Sequence, residues 1–332
     1  MIEIAGSEQL RDRRVLVTGG AGFIGSNLVS ALLSLGARVK VLDNLSTGTL
    51  DNLVGHQGEA RLEVVVGDIR DRDACRSALE GVEVVLHQAA LGSVPRSFDD
   101  PAETLDANLV GLTVLFDEAR RGGVERFVYA SSSSVYGDST REPKREGEEG
   151  QPLSPYALSK SAGDRLLEIL SGETAPVIVG LRYFNVFGPR QNPAGAYAAA
   201  IPRFAALLLQ GEQPTVFGDG LQTRDFTFVD NVVMANLLAV LADRGAHGKI
   251  CNIGCGETTT VLDLFGLIAA TVERVTGRSC PSEPLMGPAR PGEPRSSLAD
   301  ITRAGRLLGY RPRVSIREGL EPTVRWLAER GG

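Results

Sequence analysis

The stretch VLVTGGAGFIGSNLVSALLSLGARVKVLDN, residues 15–44, decides the fold. The apolar run RVLVT at 14–18 meets Gly19, Gly22 and Gly25, a helical pattern follows, and a second run, RVKVLD at 38–43, closes the unit. Strand, glycine turn, helix and strand in that order predict a βαβ unit that binds a dinucleotide. The first glycine permits the tight turn, the second lets the backbone approach a pyrophosphate, and the third lets helix and strand pack closely. The helix N-terminus then offers free N–H groups to anionic oxygens. Phe23 and Ile24 sit among these glycines as cofactor contacts. Asp43 ends the second strand eighteen residues past Gly25, followed by Asn44. A carboxylate there accepts both ribose hydroxyls and repels a 2′-phosphate, which predicts NAD over NADP. The glycines are spaced three and three, not two and three as in the dehydrogenase fingerprint, so a different branch of dinucleotide binders is indicated.

Outward from this unit the βα rhythm continues. LEVVVG at 62–67, VEVVLH at 82–87, RFVYAS at 126–131 and APVIVGLR at 175–182 read as strands, separated by helical patterns that include the stretch from Asp100 to Gly122. Near-continuous apolar strands suit a parallel sheet covered on both faces, so the fold class is α/β, a doubly wound parallel sheet of Rossmann type. The polar loop from Asp138 to Pro155 is expected to be exposed. After Pro189 the rhythm breaks into short strands, Pro/Gly-rich turns and helices. The expected division is residues 1–184 for the dinucleotide domain and 185–332 for a smaller α/β substrate domain, with about 230–255 returning to the first.

The chain of 332 residues carries a net charge of −6 and has no basic field to recruit nucleic acid or anionic lipid. Four scattered cysteines suit a reducing compartment, and no run of 18 apolar residues or signal peptide is legible. The reading is a soluble, cytoplasmic protein. Three histidines form no cluster, so no metal is expected.

The remaining cofactor candidates follow strand ends. Asp68 is placed to reach the adenine amino group while Ile69 packs on the ring, and the small Ala89 and Ala90 let the cofactor pass close to the sheet. His87 reads as a satisfied buried histidine. Tyr156 and Lys160, in YALSK, lie one helical turn apart on one face. A free tyrosine titrates near pH ~10, and a neighbouring ammonium plus a positive nicotinamide would both favour phenolate. The run Ser131–Ser134 ends a sheet strand at the carboxyl edge, where such folds place ligands.

Together TGGAGFIG, the serine run with VYG, YALSK, RYFNVFGPRQNP, RDFTFVD, NIGCG and LADITRAGRLLGY resemble the extended short-chain dehydrogenases/reductases, specifically the NAD-dependent UDP-glucose and UDP-N-acetylglucosamine 4-epimerases. The resemblance spans nearly the whole chain. It implies an enzyme in which Ser132 and Tyr156 are catalytic, Ser133 supports them, and Lys160 anchors the nicotinamide ribose. It implies that Asn108 and Tyr183 are cofactor-side, that Asn185, Arg224 and Arg290 hold a nucleotide diphosphate, and that Phe217 lies beside the base. The two arginines suit bidentate phosphate contacts. In the implied mechanism Tyr156 takes the proton of the 4-hydroxyl as hydride leaves C4. The 4-keto sugar turns over, and hydride returns to its other face. Ser297 stands where hexose-restricted relatives have a bulky tyrosine, which leaves room for a 2-acetamido group. The rivals are a 4,6-dehydratase, a uronate epimerase or decarboxylase, and an NAD-binding regulatory module without catalysis. Dehydratase relatives place Asp and Glu directly after the catalytic Thr, whereas this chain has Ser133 and Ser134. A homodimer through helices near 100–120 and 155–171 is a family expectation.

Overall fold

The computed structural model describes residues 4–172, 176–194, 198–289 and 295–331. Seven strands build its main sheet. They are β1 (Arg14–Thr18), β2 (Arg38–Asp43), β3 (Leu62–Val66), β4 (Val84–His87), β5 (Arg126–Ser132), β6 (Val177–Tyr183) and, far along the chain, β11 (Lys249–Ile253). Their order is β3-β2-β1-β4-β5-β6-β11, with every neighbouring pair parallel. The order reverses between β1 and β4, which opens a crevice at the carboxyl ends of the strands. Four short strands, β7 (Val186–Phe187), β8 (Thr215–Phe217), β9 (Thr223–Arg224) and β10 (Thr227–Phe228), precede β11. Two more, β12 (Thr259–Thr260) and β13 (Leu285–Gly287), follow it. They form the pairs β7–β10, β8–β13 and β9–β12.

Side-chain alternation decides what covers each face. Val15 and Val17 point into one core with Leu28 and Leu32 of α1 (Phe23–Ser34), and Leu16 points into the other with Cys75 of α2 (Arg72–Leu79). Beyond α2 come α3 (Val94–Asp99), α4 (Pro101–Leu105) and α5 (Gly111–Arg121), the last two joined through a π-helical turn at Asp106–Val110. The single long helix expected from sequence is therefore interrupted, and Asn108 sits in the interruption. α6 (Pro155–Leu170) starts cleanly because Ser154 caps it by accepting from Ala157 N and Pro155 occupies the first turn.

The smaller C-terminal α/β region has its own core. Ile201 and Phe204 of α7 (Ala200–Leu209), Leu264 and Ile268 of α9 (Val261–Thr276), and Leu320 and Val324 of α11 (Ile316–Glu329) pack together with Phe187 and Phe228. By contrast α8 (Val229–Leu241) places Val232 and Leu237 in the core of the main sheet, with Ala304 and Leu308 of α10 (Thr302–Leu308).

The 138–155 loop departs from its sequence reading. Lys144 is buried and pairs across a β-bridge with Ala299, Glu146 accepts from Asn252 N (2.7 Å), and Glu149 ion-pairs with the buried Arg182. Lys144, Glu146 and Glu149 engage the body because the end of β11 and the Arg182 guanidinium need partners there, while Arg141 and Arg145 stay exposed as expected. Among the described residues no helix is long and apolar enough to cross a membrane.

Candidate active site

A cleft of about 1060 Å³ runs along the carboxyl ends of the strands, from Asp43 and Asp68 at one end to Arg224 and Ser297 at the other. At its first end the backbone is shaped for an anionic cofactor. Gly19 has φ +67°, and a Cβ on it would lie 2.8 Å from Ala89 Cα. A Cβ on Gly25 would lie 2.1 Å from Gly19 O, so α1 can start against the strand end only because that atom is missing. Gly22 is the N-cap of α1 and brings no side chain to its first-turn N–H groups, which remain for a pyrophosphate. Phe23 and Ile24 line the same wall, as do Ala89 and Ala90.

Asp43 is buried and fixed in orientation, Oδ2 accepting from Ala21 N (2.9 Å) and Oδ1 from Leu45 N (2.8 Å). Each oxygen keeps a lone pair for a ribose hydroxyl. Asn44 donates to Asp68 Oδ2 (2.8 Å). Asp68 is more committed than the sequence suggested. Arg70 grips both its oxygens, at 2.9 and 2.8 Å, and this pair holds the carboxyl down at about 2. Arg70 in turn reaches Glu103 and Asp106. Ile69 is buried beside it and lines the cleft. These residues fit an NAD-type dinucleotide in steric and hydrogen-bonding terms.

His87 is buried, its Nδ1 2.7 Å from Thr18 Oγ1, and stacks on Tyr129. Burial, with the Lys160 charge adding, pushes it down to about 3, so it is a neutral core histidine. Asn108 stands behind the cleft wall. It accepts from Leu91 N (2.7 Å) and donates to Leu91 O (3.2 Å) and Ser159 Oγ (3.0 Å), so it staples the 89–93 segment to α6. Tyr183 lines the cleft, its hydroxyl bonded to Gln88 and Asn236.

At the centre, Tyr156 and Ser132 both face the cleft. Ser132 Oγ accepts from Ser134 N (3.2 Å), which fixes the turn that carries Ser133 and Ser134 into the lining. Lys160 is buried, donates to Ala130 O (2.8 Å) and lies 5.0 Å over the Tyr129 ring. Burial pushes the Tyr156 phenol above its ordinary value, and the Ser132 hydroxyl opposes this. Burial also brings Lys160 down to about 8, which leaves it largely charged at neutral pH.

At the far end Asn185, Arg224 and Ser297 line the cleft. Arg224 Nη1 donates to Thr223 O (2.8 Å). Phe217 lies on β8 with its ring over Gly287 and is not among the lining residues. Arg290 lies outside the described residues. The residue that organises this end is Asp225, which the sequence reading passed over inside RDF. It is fully buried and accepts from Cys255 N (2.7 Å), Gly256 N (2.9 Å) and Ala299 N (3.2 Å). Its own backbone accepts from Asn185 Nδ2 (2.9 Å) and donates to Ser297 O (2.8 Å). The carboxylate thus ties the 255–256 turn to the 297–299 segment, and the Asp225 backbone holds Asn185 and Ser297 beside it.

Burial raises Asp225 to about 6, against the pull of those three N–H donors. Protonation converts an acceptor into a donor where only donors converge, so KM for substrate should rise as pH falls below about 6. Asp225→Asn should mimic this at neutral pH. One unsatisfied buried group costs about 1–3 kcal/mol, or roughly 5- to 150-fold in KM. Steady-state kinetics across pH 5 to about 8 would show both effects. Among the described residues no group of His, Cys, Asp and Glu could hold a metal ion. Cys251 and Cys255 are raised to about 12 by burial and are inert thiols.

Comparison with known proteins supplies the context. The family model for the NAD dependent epimerase/dehydratase family matches residues 15–254. The UDP-glucose 4-epimerase of Mycolicibacterium smegmatis is 40% identical over 313 residues, covering 94% of this chain and 97% of that protein. A dTDP-glucose 4,6-dehydratase of Streptomyces griseus is 36% identical over 324 residues, covering 94% and 93% respectively. Among solved structures, a UDP-N-acetylglucosamine 4-epimerase from Methanobrevibacter ruminantium superimposes with a TM-score of 0.89 at 35% identity, covering 96% of this chain and 99% of that one.

Proposed function

From the premise that the chain belongs to the NAD dependent epimerase/dehydratase family of nucleotide-sugar enzymes, we propose that it is a UDP-sugar 4-epimerase. The observation that carries this reading is that the described residues bring no acid to the reacting end of the cleft. Among the described lining residues the only carboxylates are Asp43 and Asp68, both at the cofactor end, while Ser133 and Ser134 follow Ser132. Elimination of water across C5 and C6 needs an acid and a base beside the sugar, and the described lining residues supply no such pair. Inversion at C4 needs one proton acceptor that later returns the same proton, and Tyr156 with Ser132 meets that need.

In this mechanism Tyr156 takes the 4-hydroxyl proton, with Ser132 beside it on the cleft wall. Bound NAD supplies the hydride acceptor and donor, and the positive charge that draws the buried phenol toward phenolate. Lys160 holds the nicotinamide ribose, and Asp43 the adenosine ribose. Arg224 and Asn185 grip the diphosphate so that the sugar is free to turn between the two proton transfers. Once the sugar has turned and offers the opposite face of C4 for reduction, Tyr156 returns its proton to the C4 oxygen. The cycle has no net redox change, so resident NAD serves without addition. Product analysis on a panel of UDP-sugars tests this. A C4-inverted sugar is expected, and a 4-keto-6-deoxy product would refute the reading in favour of the dehydratase. A protein that only binds NAD would give no product at all.

Substrate range follows from Ser297. A serine at the cleft wall leaves volume that a tyrosine would fill, so both hexose and 2-acetamido sugars are accepted. Ser297→Tyr should lower kcat/KM for UDP-N-acetylglucosamine by about 10-fold or more and spare UDP-glucose, the scale set by steric exclusion in a pocket. Equal loss on both sugars would remove the gate. The exposed Val110 on the π turn and Leu158, Ile169 and Leu170 on α6 form the face through which we propose two copies associate. Light scattering on Leu158→Lys should report monomers.

A further inference from the structure

We infer that Arg190, with Asn27, forms a positioning latch that holds one wall of the cleft against the cofactor helix α1. The segment after β7 lines the cleft through Gln191, Asn192 and Ala194. It follows Asn185 along the chain, so its ligand is the UDP-sugar, and that part of the inference rests on the function proposed above. α1 lines the cofactor end through Phe23 and Ile24, where its first turn is open to a pyrophosphate. Ser26, Asn27 and Ser30 recur at helical spacing on α1 and meet this segment. Arg190 Nη1 donates to Ser26 O (2.7 Å) and to Ser30 Oγ (2.9 Å). Asn27 Nδ2 donates to Pro189 O (3.1 Å) and to Phe23 O (2.9 Å). Phe23 itself packs against the core of the smaller C-terminal region.

The network runs on into the nucleotide loop. Ser30 Oγ lies 2.7 Å from His56 Nε2 in the turn Leu50–His56, and Asn52 of that turn donates to Ala21 O (2.9 Å). Ala21 N is a donor that fixes Asp43. A chain of contacts therefore joins the segment to the carboxylate at the cofactor end. Among the described residues the segment's other hydrogen bonds are local. Gln191 reaches back to Gly188 O (3.4 Å) and Val186 O (3.2 Å), and Asn192 accepts from Ala194 N (2.8 Å). Of all these bonds, those to α1 are the ones that tie the segment to the cofactor side. Arg190 adopts φ +73°, a left-handed backbone that few residues other than glycine take up. Its half-buried guanidinium pairs with no carboxylate among the described residues, and the charge beside it is the like charge of Arg330. A plain turn would be better served by glycine, and a plain ion pair needs a carboxylate. What the side chain does is span the seam to α1.

The test uses the holoenzyme and reads KM for UDP-sugar and the rate at which resident NAD is lost on dilution. In Arg190→Met, KM should rise and NAD loss should quicken by about 10-fold each, the scale of a hydrogen bond from a charged donor. The kcat of NAD-saturated protein should change little. Arg190→Gly relieves the left-handed turn but has no side chain, and it should show the same losses. Arg190→Lys keeps a cationic donor and should recover most of them. Ser30→Ala should act in the same direction more weakly and add nothing in the Arg190→Met background. Because it suits a helix, it also carries the test if the Arg190 variants fold poorly, and unchanged NAD loss in it would then overturn the inference. Parent-like KM and NAD loss in Arg190→Gly would show that only the turn matters and would overturn it too. So would a lower Tm and yield of active protein at unchanged KM and NAD loss, the result expected of a role in stability alone. NAD loss is read without any sugar, so an error in the assigned substrate leaves that arm standing.

Discussion

Tyr156→Phe should lower kcat by about 10²- to 10⁴-fold, the usual worth of a positioned acid–base group, while NAD content and KM stay close to those of the parent. The expectation follows from what the hydroxyl touches. It faces the cleft with Ser132, and its ring belongs to a helix whose start is fixed independently by Ser154. Removing one oxygen therefore deletes the proton acceptor without loosening α6. Ser132→Ala should cost less, because Ser132 relays a hydrogen bond and does not hold the proton. Single-turnover measurements separate the chemical step from sugar rotation and product release. A Tyr156→Phe protein that lost its NAD would show that the side chain acts through cofactor retention instead.

The second large effect is expected at Gly25. An alanine there would place Cβ 2.1 Å from Gly19 O and 2.8 Å from Gly20 Cα, both backbone, so no side-chain rotation relieves the clash. Either α1 withdraws from β1 or the Gly19 turn opens, and both movements spoil the N–H cradle. Gly25→Ala should therefore purify without NAD and lose about 3 kcal/mol or more, the upper end of ordinary overpacking costs. Gly55→Ala is the control, because nothing lies within 4 Å of a Cβ built there. It should stay within about 0.5 kcal/mol of the parent. Calorimetric Tm and acid-released NAD report both outcomes.

The cofactor end was legible because its chemistry is local. Gly19, Gly22, Gly25 and Asp43 act through backbone geometry within one βαβ unit, and spacing along the chain encodes that geometry directly. The strand limits of β1 and β2 were legible for the same reason, since uninterrupted apolar runs suit a sheet buried on both faces. What stayed hidden depends on contacts between distant segments. Asp225 takes its donors from residues 30, 31 and 74 positions away, and nothing in RDF announces them. Arg182 finds Glu149 and Tyr136 only once β6 and the 138–155 loop are folded together, so that loop looked merely polar. Asn108 was legible as important but not as a staple, because the π turn that aims it at Leu91 leaves no mark in the hydrophobic pattern. The Tyr156–Lys160 spacing was legible, whereas the upward push of burial on the phenol was not, because no spacing reveals desolvation.

The central claim is that C4 is inverted by removal and return of the substrate's own hydrogen. Converting UDP-glucose and UDP-N-acetylglucosamine deuterated at C4, in ordinary water and without added NAD, tests it most directly by mass spectrometry and NMR of the products. The expected result is the C4 epimer with deuterium still at C4 and no free NADH. Loss of that deuterium to solvent, its appearance at C6 of a 4-keto-6-deoxy sugar, or stoichiometric NADH release would contradict the account.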